Sequence, residues 1–167
     1  MWWIWIATAV VGLDQLSKYL STVFLLPVGS ASFIPHFLSF RYVLNPGAAW
    51  GMLKDHPWVF MTLSTVAIIG VIVFFFLYKN RHPLLTVSLA LIAGGGIGNM
   101  IDRILFGEVV DFIHLEFMDF PTFNIADCAV TVGGVLLIAW LIFIDMPAER
   151  RKKKETQTET AAGNDHE

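Results

Sequence analysis

The sequence predicts an all-α membrane protein of four transmembrane helices, with a small extracytoplasmic β-strand region between helices 1 and 2. Hydrophobic residues make up 56% of the 167 residues and charged residues only 15%, whereas a soluble domain carries roughly 25% charged residues. The apolar residues fall in four long runs, and basic residues gather in the short polar segments beside them. We therefore expect lipid to be the solvent for much of this chain.

The four apolar runs cover residues 2–26, 58–78, 84–105 and 125–144. Each reaches the roughly 20 residues that an α-helix needs to cross a bilayer. Helices are expected because every backbone N–H and C=O group must be satisfied within the segment where water is absent. The first run lacks a basic stretch before it, is interrupted by Asp14 and Lys18, and precedes no small-x-small cleavage site. We interpret it as a retained membrane segment and not as a cleaved signal peptide.

Basic residues predict the orientation of the chain. Lys79 and Arg81 lie between the second and third runs, and "ERRKKK" follows the fourth. Short loops rich in Lys and Arg stay on the cytoplasmic side, so both termini are expected there. Residues 1–146 then form one membrane domain with outer loops at 27–57 and 106–123. Residues 147–167 form a basic and polar cytoplasmic tail that is expected to be disordered.

The first outer loop contains a segment with strand-like alternation, "FLSFRYVLN". One face would carry Leu38, Phe40, Tyr42 and Leu44, and the other Ser39 and Arg41. This period of two predicts a short strand in a small sheet at the membrane surface. The following "NPGAAWG" is typical of a turn because of its Pro and Gly residues.

Polar residues inside the predicted helices fall at one depth. An ionisable residue near the centre of a membrane helix costs roughly 2.5–3.5 kcal/mol, so its position is informative. Asp14 and Lys18 are four residues apart in the outer half of the first helix and share a face. Asn99, Asp102 and Arg103 share a face of the third helix, about 22–28 Å from its start at a rise of about 1.5 Å per residue.

The fourth helix and the loop before it bring further polar groups to the same depth. Asn124 and Asp127 lie at the start of this helix, three residues apart, and Asp111 lies in the outer loop. Three helices and one loop therefore deliver polar side chains to a single level near the outer surface. We expect a functional site there.

Each of these residues also has a simpler structural explanation. Asp14 and Lys18 would form an ion pair that lowers the cost of burying both charges. Asp102 and Arg103 would reach toward the membrane interface. Asn124 would cap the fourth helix by accepting a hydrogen bond from a backbone N–H group.

The same holds for the remaining candidates. Asp127 would complement the helix macrodipole, and Asp111 would be an ordinary loop residue. Gly95 belongs to "GGGIG", in which small residues allow close helix packing or line a substrate site. Cys128 and the histidines are expected to be structural or incidental.

The residue types exclude several kinds of chemistry. There is one cysteine, so no internal disulfide can form, and no HExxH motif or pair of histidines has the spacing of metal ligands. We expect no metal and no cofactor. No basic stripe with interleaved aromatics suggests a nucleic-acid partner. Ser17 and Lys18 do not form a Ser–Lys dyad because adjacent helical residues do not face each other.

Two carboxylates at one place support a metal-free hydrolysis. They cannot both ionise easily, so they hold one proton between them. One then acts as a base toward water while the other acts as an acid toward a carbonyl oxygen. The alternative is a non-catalytic transporter or lipid-binding protein that uses the same polar cluster, although transporters usually place such groups near the membrane midplane.

Five motifs occur in order along residues 12–144: "DQLSK", "NPGAAW", "GNMIDR", "VVDF" and "FNIADCAVTVG". Together they resemble bacterial lipoprotein signal peptidases, the signal peptidase II family of aspartyl peptidases (family A8). The resemblance implies a multi-pass enzyme of the bacterial cytoplasmic membrane with its active site near the extracytoplasmic face. It further implies metal-free cleavage of prolipoproteins on the amino side of a diacylglyceryl-modified cysteine. Pro46 and Trp50 depart from the residues expected in the outer loop.

The resemblance also implies roles for particular residues. Asp111 and Asp127 would be the catalytic dyad. Residues that bind substrate or shape the site would be Asn45, Asn99, Asp102, Arg103 and Asn124. Residues that support the site would be Asp14, Lys18 and Gly95. The implied partners are diacylglyceryl-prolipoproteins, membrane lipid and globomycin-type inhibitors, and we expect a monomer.

The aromatic loop between the two aspartates has a further predicted role. Its four phenylalanines are Phe112, Phe117, Phe120 and Phe123. Our hypothesis is that this loop and the outer strand region together form a cover over the substrate groove.

Overall fold

The computed structural model describes residues 2–47, 57–77 and 82–147, which form four α-helices and one antiparallel sheet of three strands. In chain order the elements are α1 (Trp3–Phe24), β1 (Ser30–Ile34), β2 (Leu38–Asn45), α2 (Pro57–Leu77), α3 (Pro83–Phe106), β3 (Val109–Leu115) and α4 (Ile125–Trp140). A π-helical turn, Leu141–Asp145, continues α4. The four predicted helices are thus present, each within a few residues of its predicted ends. Trp50, both predicted basic segments and the tail from residue 148 lie outside the described residues.

The ends of α3 show how local sequence sets these boundaries. Its first residue is Pro83, whose fixed φ suits the first helical position. His82 caps this end, because its Nδ1 accepts a hydrogen bond from the N–H group of Leu84 at 3.2 Å. The helix stops at Gly107, which adopts the left-handed φ of 80° that glycine tolerates best.

Two of the described helices are long and apolar enough to cross a membrane: Pro83–Phe106 and Ile125–Asp145. The expectation of four such helices is therefore met only in part by length and composition. In α1, residues such as Asp14, Gln15 and Lys18 lower the mean hydropathy, and the apolar stretch of α2, Met61–Leu77, is shorter.

Helix α3 packs against the other three helices through consecutive glycines of "GGGIG". A Cβ atom on Gly94 would lie 2.9 Å from the Cβ of Val10 in α1. A Cβ on Gly95 would overlap the backbone oxygen of Ala126 in α4. The interpretation of this motif as a close-packing device is confirmed.

The strand prediction was incomplete. Strand order in the sheet is β1-β2-β3, and β3 comes from the loop between α3 and α4. The strand region is therefore not confined to the connection between the first two helices, and Asp111 lies in a strand instead of an irregular loop. The β-branched and aromatic residues of "VVDFIHL" favour this structure, but the pairing partner lies far away in sequence.

A β-bulge interrupts β2. Phe40 pairs with Ile113 of β3, but the next paired residue, Val43, lies opposite Asp111. One extra residue is thus present in β2 between these pairs, and it reverses the alternation of side chains beyond that point. The predicted single apolar face is therefore wrong. Leu44 is 48% exposed, and Ser39 of the predicted polar face is buried.

We predict that Gly95→Ala lowers the free energy of unfolding by about 1–3 kcal/mol, because the added methyl group pushes α4 away from α3. The matched control is Gly96→Ala, whose methyl group would meet Ile68 of α2 at an ordinary 3.6 Å. This control should be neutral or stabilising by up to about 1 kcal/mol, since alanine favours helix. Thermal unfolding in detergent compares the two; equal losses would contradict this packing.

Candidate active site

A cluster of buried charges lies between α1 and α3. Lys18 Nζ lies 2.8 Å from Asp14 Oδ2 and 2.8 Å from Asp102 Oδ2, and it donates a hydrogen bond to Asn99 Oδ1 at 2.9 Å. Exposure is 0% for Asp14, 3% for Lys18 and 2% for Asp102. The predicted ion pair of Asp14 with Lys18 is confirmed, and a second carboxylate joins it. Buried charges of this kind are tolerable only when they are paired.

Gln15 belongs to the same cluster and was missed in the sequence analysis. Its Nε2 atom donates to Asp102 Oδ1 at 2.9 Å and to the carbonyl oxygen of Gly98 at 3.2 Å. It also lies 3.3 Å from Asp14 Oδ2. The sequence did contain a signal, because an uncharged amide inside an apolar helix also needs a partner.

The two carboxylates of this cluster fix neighbouring elements. Asp14 Oδ1 accepts a hydrogen bond from the N–H group of Ala126 at 2.9 Å, at the start of α4. Asp102 Oδ2 accepts one from the N–H group of Val110 in β3 at 3.3 Å. Asp102 is buried within the protein, so it does not reach toward the membrane interface. It is not among the residues that line the cavity described below, and its contact with Val110 ties α3 to β3.

The start of α4 carries a reciprocal cap. Asn124 Oδ1 accepts a hydrogen bond from the N–H group of Asp127 at 3.0 Å, and Asp127 Oδ2 accepts one from the N–H group of Asn124 at 3.1 Å. This is the capping-box arrangement. The prediction that Asn124 caps the helix is confirmed, and Asp127 also faces the positive end of the helix dipole.

Two amide side chains connect the two carboxylates that were predicted to work together, and a third binds one of them. Asn124 Nδ2 donates to Asp111 Oδ1 at 2.6 Å and to Asn99 Oδ1 at 3.0 Å. Asn99 Nδ2 donates to Asp127 Oδ1 at 2.8 Å. Asn45 Nδ2 donates to Asp111 Oδ2 at 2.8 Å. Each oxygen of both carboxyl groups thus accepts a hydrogen bond, and the two aspartates share one network.

The bulge in β2 explains why Asn45 reaches Asp111. Beyond the bulge, Asn45 pairs with Val109, which is two residues before Asp111. Residues two apart in a strand lie on the same face, so Asn45 and Asp111 are diagonal neighbours. If the same residues paired regularly with no bulge, Asn45 would lie opposite Glu108, and its side chain would point to the other face.

Asp111 has a perturbed acidity. Burial raises the pKa of Asp111 from its ordinary 3.8 to about 6. The hydrogen bonds from Asn45 and Asn124 lower this pKa, while the charge of Asp127 raises it. Asp111 therefore keeps a proton at a pH at which an exposed aspartate has lost it.

A cavity of about 570 Å³ opens at the two carboxyl groups. Its polar lining consists of side chains from Asn45, Asn99, Arg103, Asp111 and Asp127. Its remaining lining comes from Gly47, Val109, Leu115, Phe120, Pro121, Thr122, Phe123, Cys128, Thr131 and Val132. Apolar walls with a few convergent polar groups are typical of a site for a substrate.

Comparison with known proteins agrees with this geometry. The family model described as signal peptidase (SPase) II matches residues 6–143. The chain belongs to the signal peptidase II family. The lipoprotein signal peptidase of Symbiobacterium thermophilum is 42% identical over 142 residues, which cover 84% of this chain and 93% of that protein. That of Listeria monocytogenes serotype 4a is 43% identical over 149 residues, which cover 87% and 95%.

A solved bacterial membrane enzyme has the same fold. It superposes on this signal peptidase II with a TM-score of 0.77 at 38% identity, over 85% of this chain and 93% of that one. Together, family and fold identify the chain as a membrane-bound peptidase. The apolar side chains on the outside of the helices, such as Trp5 at 77% exposure and Leu63 at 63%, fit a lipid environment.

Two further predicted site residues, Arg103 and Gly95, lie at different distances from the cavity. Arg103 lines the cavity, and it donates to the carbonyl oxygens of Gly47 at 3.2 Å and of Asn99 at 3.4 Å. Gly95 lies away from the cavity, between α3 and α4. The structure therefore separates residues that face the cavity from residues that only hold the helices together.

Two of the four phenylalanines that were predicted to form a cover line the cavity. Phe120 and Phe123 meet edge to face there, with ring centroids 5.7 Å apart. Phe112 is a buried residue of β3, and Phe117 stacks on Phe37 with centroids 4.9 Å apart. Neither of these two is among the residues that line the cavity, and the cover itself stays a prediction.

Two cavity residues on α4 were missed: Thr131 and Val132. They lie one helical turn beyond Asp127, so the 3.6-residue period of the helix could have indicated them. Cys128, which was expected to be structural or incidental, also lines the cavity. Among residues 2–47, 57–77 and 82–147, no group of three His, Cys, Asp or Glu side chains is placed to hold a metal ion.

The raised pKa of Asp111 predicts a pH-dependent stability. Because the pKa in the folded protein, about 6, exceeds the ordinary 3.8, the folded state gains stability from the proton at low pH and loses it as pH rises through 6. Asp111→Asn removes this loss. Between pH 4 and 7.5, the free energy of unfolding of the variant, measured by thermal unfolding, should therefore rise by up to about 3 kcal/mol relative to that of wild type.

The control for this measurement is Asp119→Asn, which removes an exposed carboxylate from the same connection between α3 and α4. If both variants followed the same pH trend, the buried position of Asp111 would not be the cause.

Proposed function

We propose that this signal peptidase II is an aspartyl endopeptidase with Asp111 and Asp127 as its catalytic dyad. It removes the signal peptide from diacylglyceryl-modified prolipoproteins by cleaving on the amino side of the lipidated cysteine. The observation that carries the proposal is the Asn124 side chain, which binds the carboxyl group of Asp111 and the backbone of Asp127 at the polar end of an apolar cavity. The curated relatives are lipoprotein signal peptidases.

The surroundings of the dyad favour one division of labour. Burial disfavours the ionised form of Asp127, but this carboxyl group accepts a backbone N–H and an amide N–H at the positive end of α4, which offset part of that cost. Asp111, with a pKa of about 6, is the partner that carries the shared proton. Asp127 is thus the base, and Asp111 is the acid.

In the first step, Asp127 takes a proton from water, and the hydroxide attacks the scissile carbonyl carbon. Asp111 gives its proton to the carbonyl oxygen, which leaves a neutral diol. In the second step, Asp127 gives its proton to the leaving nitrogen, and Asp111 takes one from a diol hydroxyl. The C–N bond breaks, the carbonyl forms again, and both carboxyl groups return to their starting states.

Residues around the dyad would hold the substrate in place. Arg103 would bind a backbone carbonyl of the signal peptide in exchange for its contact with Gly47. Asn45 would keep Asp111 oriented while the peptide enters. The apolar side chains from Phe120 to Phe123 would exclude water and cover the extended peptide.

In the proposed membrane arrangement all four helices span the bilayer, both termini are cytoplasmic, and the sheet and dyad lie near the outer face. This is supported by the sheet strands, which join the helix ends at which the polar groups gather. The acyl chains of the substrate would stay in the outer leaflet while the scissile bond meets the dyad. Globomycin-type peptides would occupy the same cavity, and the enzyme would act as a monomer.

The alternative of a non-catalytic transporter or lipid-binding protein is not favoured. The family match covers residues 6–143, and the match to the lipoprotein signal peptidase of Symbiobacterium thermophilum covers nearly the whole length of that protein.

The dyad is tested with the purified full chain and a diacylglyceryl-modified prolipoprotein. Asp111→Asn and Asp127→Asn should each lower the cleavage rate by about 10³-fold or more, because each loses its acid or base function. Asp119→Asn should keep normal cleavage, and EDTA should have no effect. Full cleavage by either dyad variant would remove that residue from the mechanism.

The aromatic cover is tested with a matched pair of phenylalanines. Phe120→Ala should lower kcat/KM about 10-fold, because the bound peptide loses its apolar contact with this ring, and the loss is of the order of the free energy of burying one apolar side chain. Phe117→Ala removes the same ring from the same loop outside the cavity and should change kcat/KM little. Equal losses in the two variants would mean that the loop acts through its fold and not through contact with the peptide.

A further inference from the structure

The Asn99 side chain lies between the buried charge cluster and the dyad. Its Oδ1 atom accepts hydrogen bonds from Lys18 Nζ at 2.9 Å and from Asn124 Nδ2 at 3.0 Å. Its Nδ2 atom donates to Asp127 Oδ1 at 2.8 Å. A carboxamide can rotate by 180° with little change in shape, so something must determine which end faces Asp127.

Lys18 supplies one such determinant, and it acts together with Asn124 Nδ2, which donates to the same oxygen, and with the Asp127 carboxylate, which accepts from the amino group. An ammonium group has three donors and no acceptor, so only the oxygen of Asn99 can face it. If Asn99 were flipped, its amino group would face the Lys18 ammonium, and its oxygen would face the carboxylate of Asp127. Each contact would then join two donors or two acceptors, at the cost of buried polar groups without partners.

We propose that Lys18 is a positioning residue for catalysis: its ammonium group fixes the Asn99 carboxamide so that an N–H group points at Asp127. This inference rests on the proposed role of Asp127. The effect reaches Asp111 as well, because the Asn99 oxygen also binds Asn124 Nδ2, whose amino group binds Asp111 Oδ1. The buried cation thereby orients Asn99, and the cap at the start of α4 orients Asn124, so the amide hydrogen bonds run in one direction between the two carboxyl groups.

A purely structural role for Lys18 must be distinguished from this one, because Lys18 also neutralises Asp14 and Asp102. Gln15 offers the matched control. It lies on the same helix and donates to the same two carboxylates, but its hydrogen bonds go to Asp14, Asp102 and Gly98 instead of Asn99. Gln15→Met and Lys18→Met therefore both weaken the cluster, and only the second removes the donor to Asn99.

The test is a double-mutant cycle on the full-length enzyme with a lipidated prolipoprotein. Kinetic constants and thermal unfolding are measured for Lys18→Met, Asn99→Leu and the double variant. Lys18→Met should lower kcat by about 100-fold, the size expected for a misplaced catalytic group. KM should change little, because Lys18 does not line the cavity. In the Asn99→Leu background, Lys18→Met should lower kcat by no more than about 3-fold, since the shared contact is already lost.

Gln15→Met should lower the unfolding temperature, and its effect on kcat should be the same with and without Asn99. If Lys18→Met lowered kcat equally in both backgrounds, or if Gln15→Met showed the same coupling to Asn99, Lys18 would be only a structural cation.

If Lys18→Met does not fold, the cycle starts from Asp14→Asn instead of wild type, and Asp14→Asn/Lys18→Met takes the place of Lys18→Met. This double variant has lost one charge of each sign, so the cluster keeps its net charge. The coupling of Lys18→Met to Asn99→Leu in this background then decides between the two roles.

The result is separable from the proposed function. Absence of cleavage by wild type, or full cleavage by Asp127→Asn, would overturn the aspartyl mechanism itself. Cleavage by wild type, none by Asp127→Asn, and no coupling of Lys18 to Asn99 would overturn only the positioning role.

Discussion

The arrangement of the proposed active site depends on the ion pairs that the buried ammonium group of Lys18 forms. It holds Asp14 and Asp102 together at 2.8 Å each, inside a structure where unpaired charges are expensive. Those two carboxylates in turn accept backbone N–H groups from the start of α4 and from β3. A charge on the first helix thus sets the positions of the two elements that carry Asp127 and Asp111.

Asn124 makes both a local contact within α4 and a long-range contact with β3. As a helix cap it satisfies a backbone N–H group within its own turn, as asparagine does at the start of many helices. Its amino group faces outward from the helix and binds a carboxyl group on a strand. The same side chain therefore caps α4 and contacts the proposed dyad.

Much of this arrangement followed from the sequence, for physical reasons. Long apolar runs predict helices, and the cost of burying charges makes the depth of Asp14, Lys18 and Asp102 informative. Gln15 was missed because its acceptors, Gly98 and Asp102, lie on another helix far away in sequence. The strand β3 and the bulge in β2 were missed because strand register depends on partners distant in sequence. The aromatic loop was predicted as one unit, whereas Phe117 packs on Phe37 away from the cavity.

The bulge in β2 has a consequence for comparing related chains. In this chain the bulge takes up one residue between Phe40 and Asn45, so Asn45 still pairs with Val109 and reaches Asp111. A related chain that lacks that one residue would pair without a bulge and would place its asparagine at the same position beside the carboxylate. An alignment gap inside this segment therefore marks a difference in strand shape, whereas a shift of register is what would remove the amide contact.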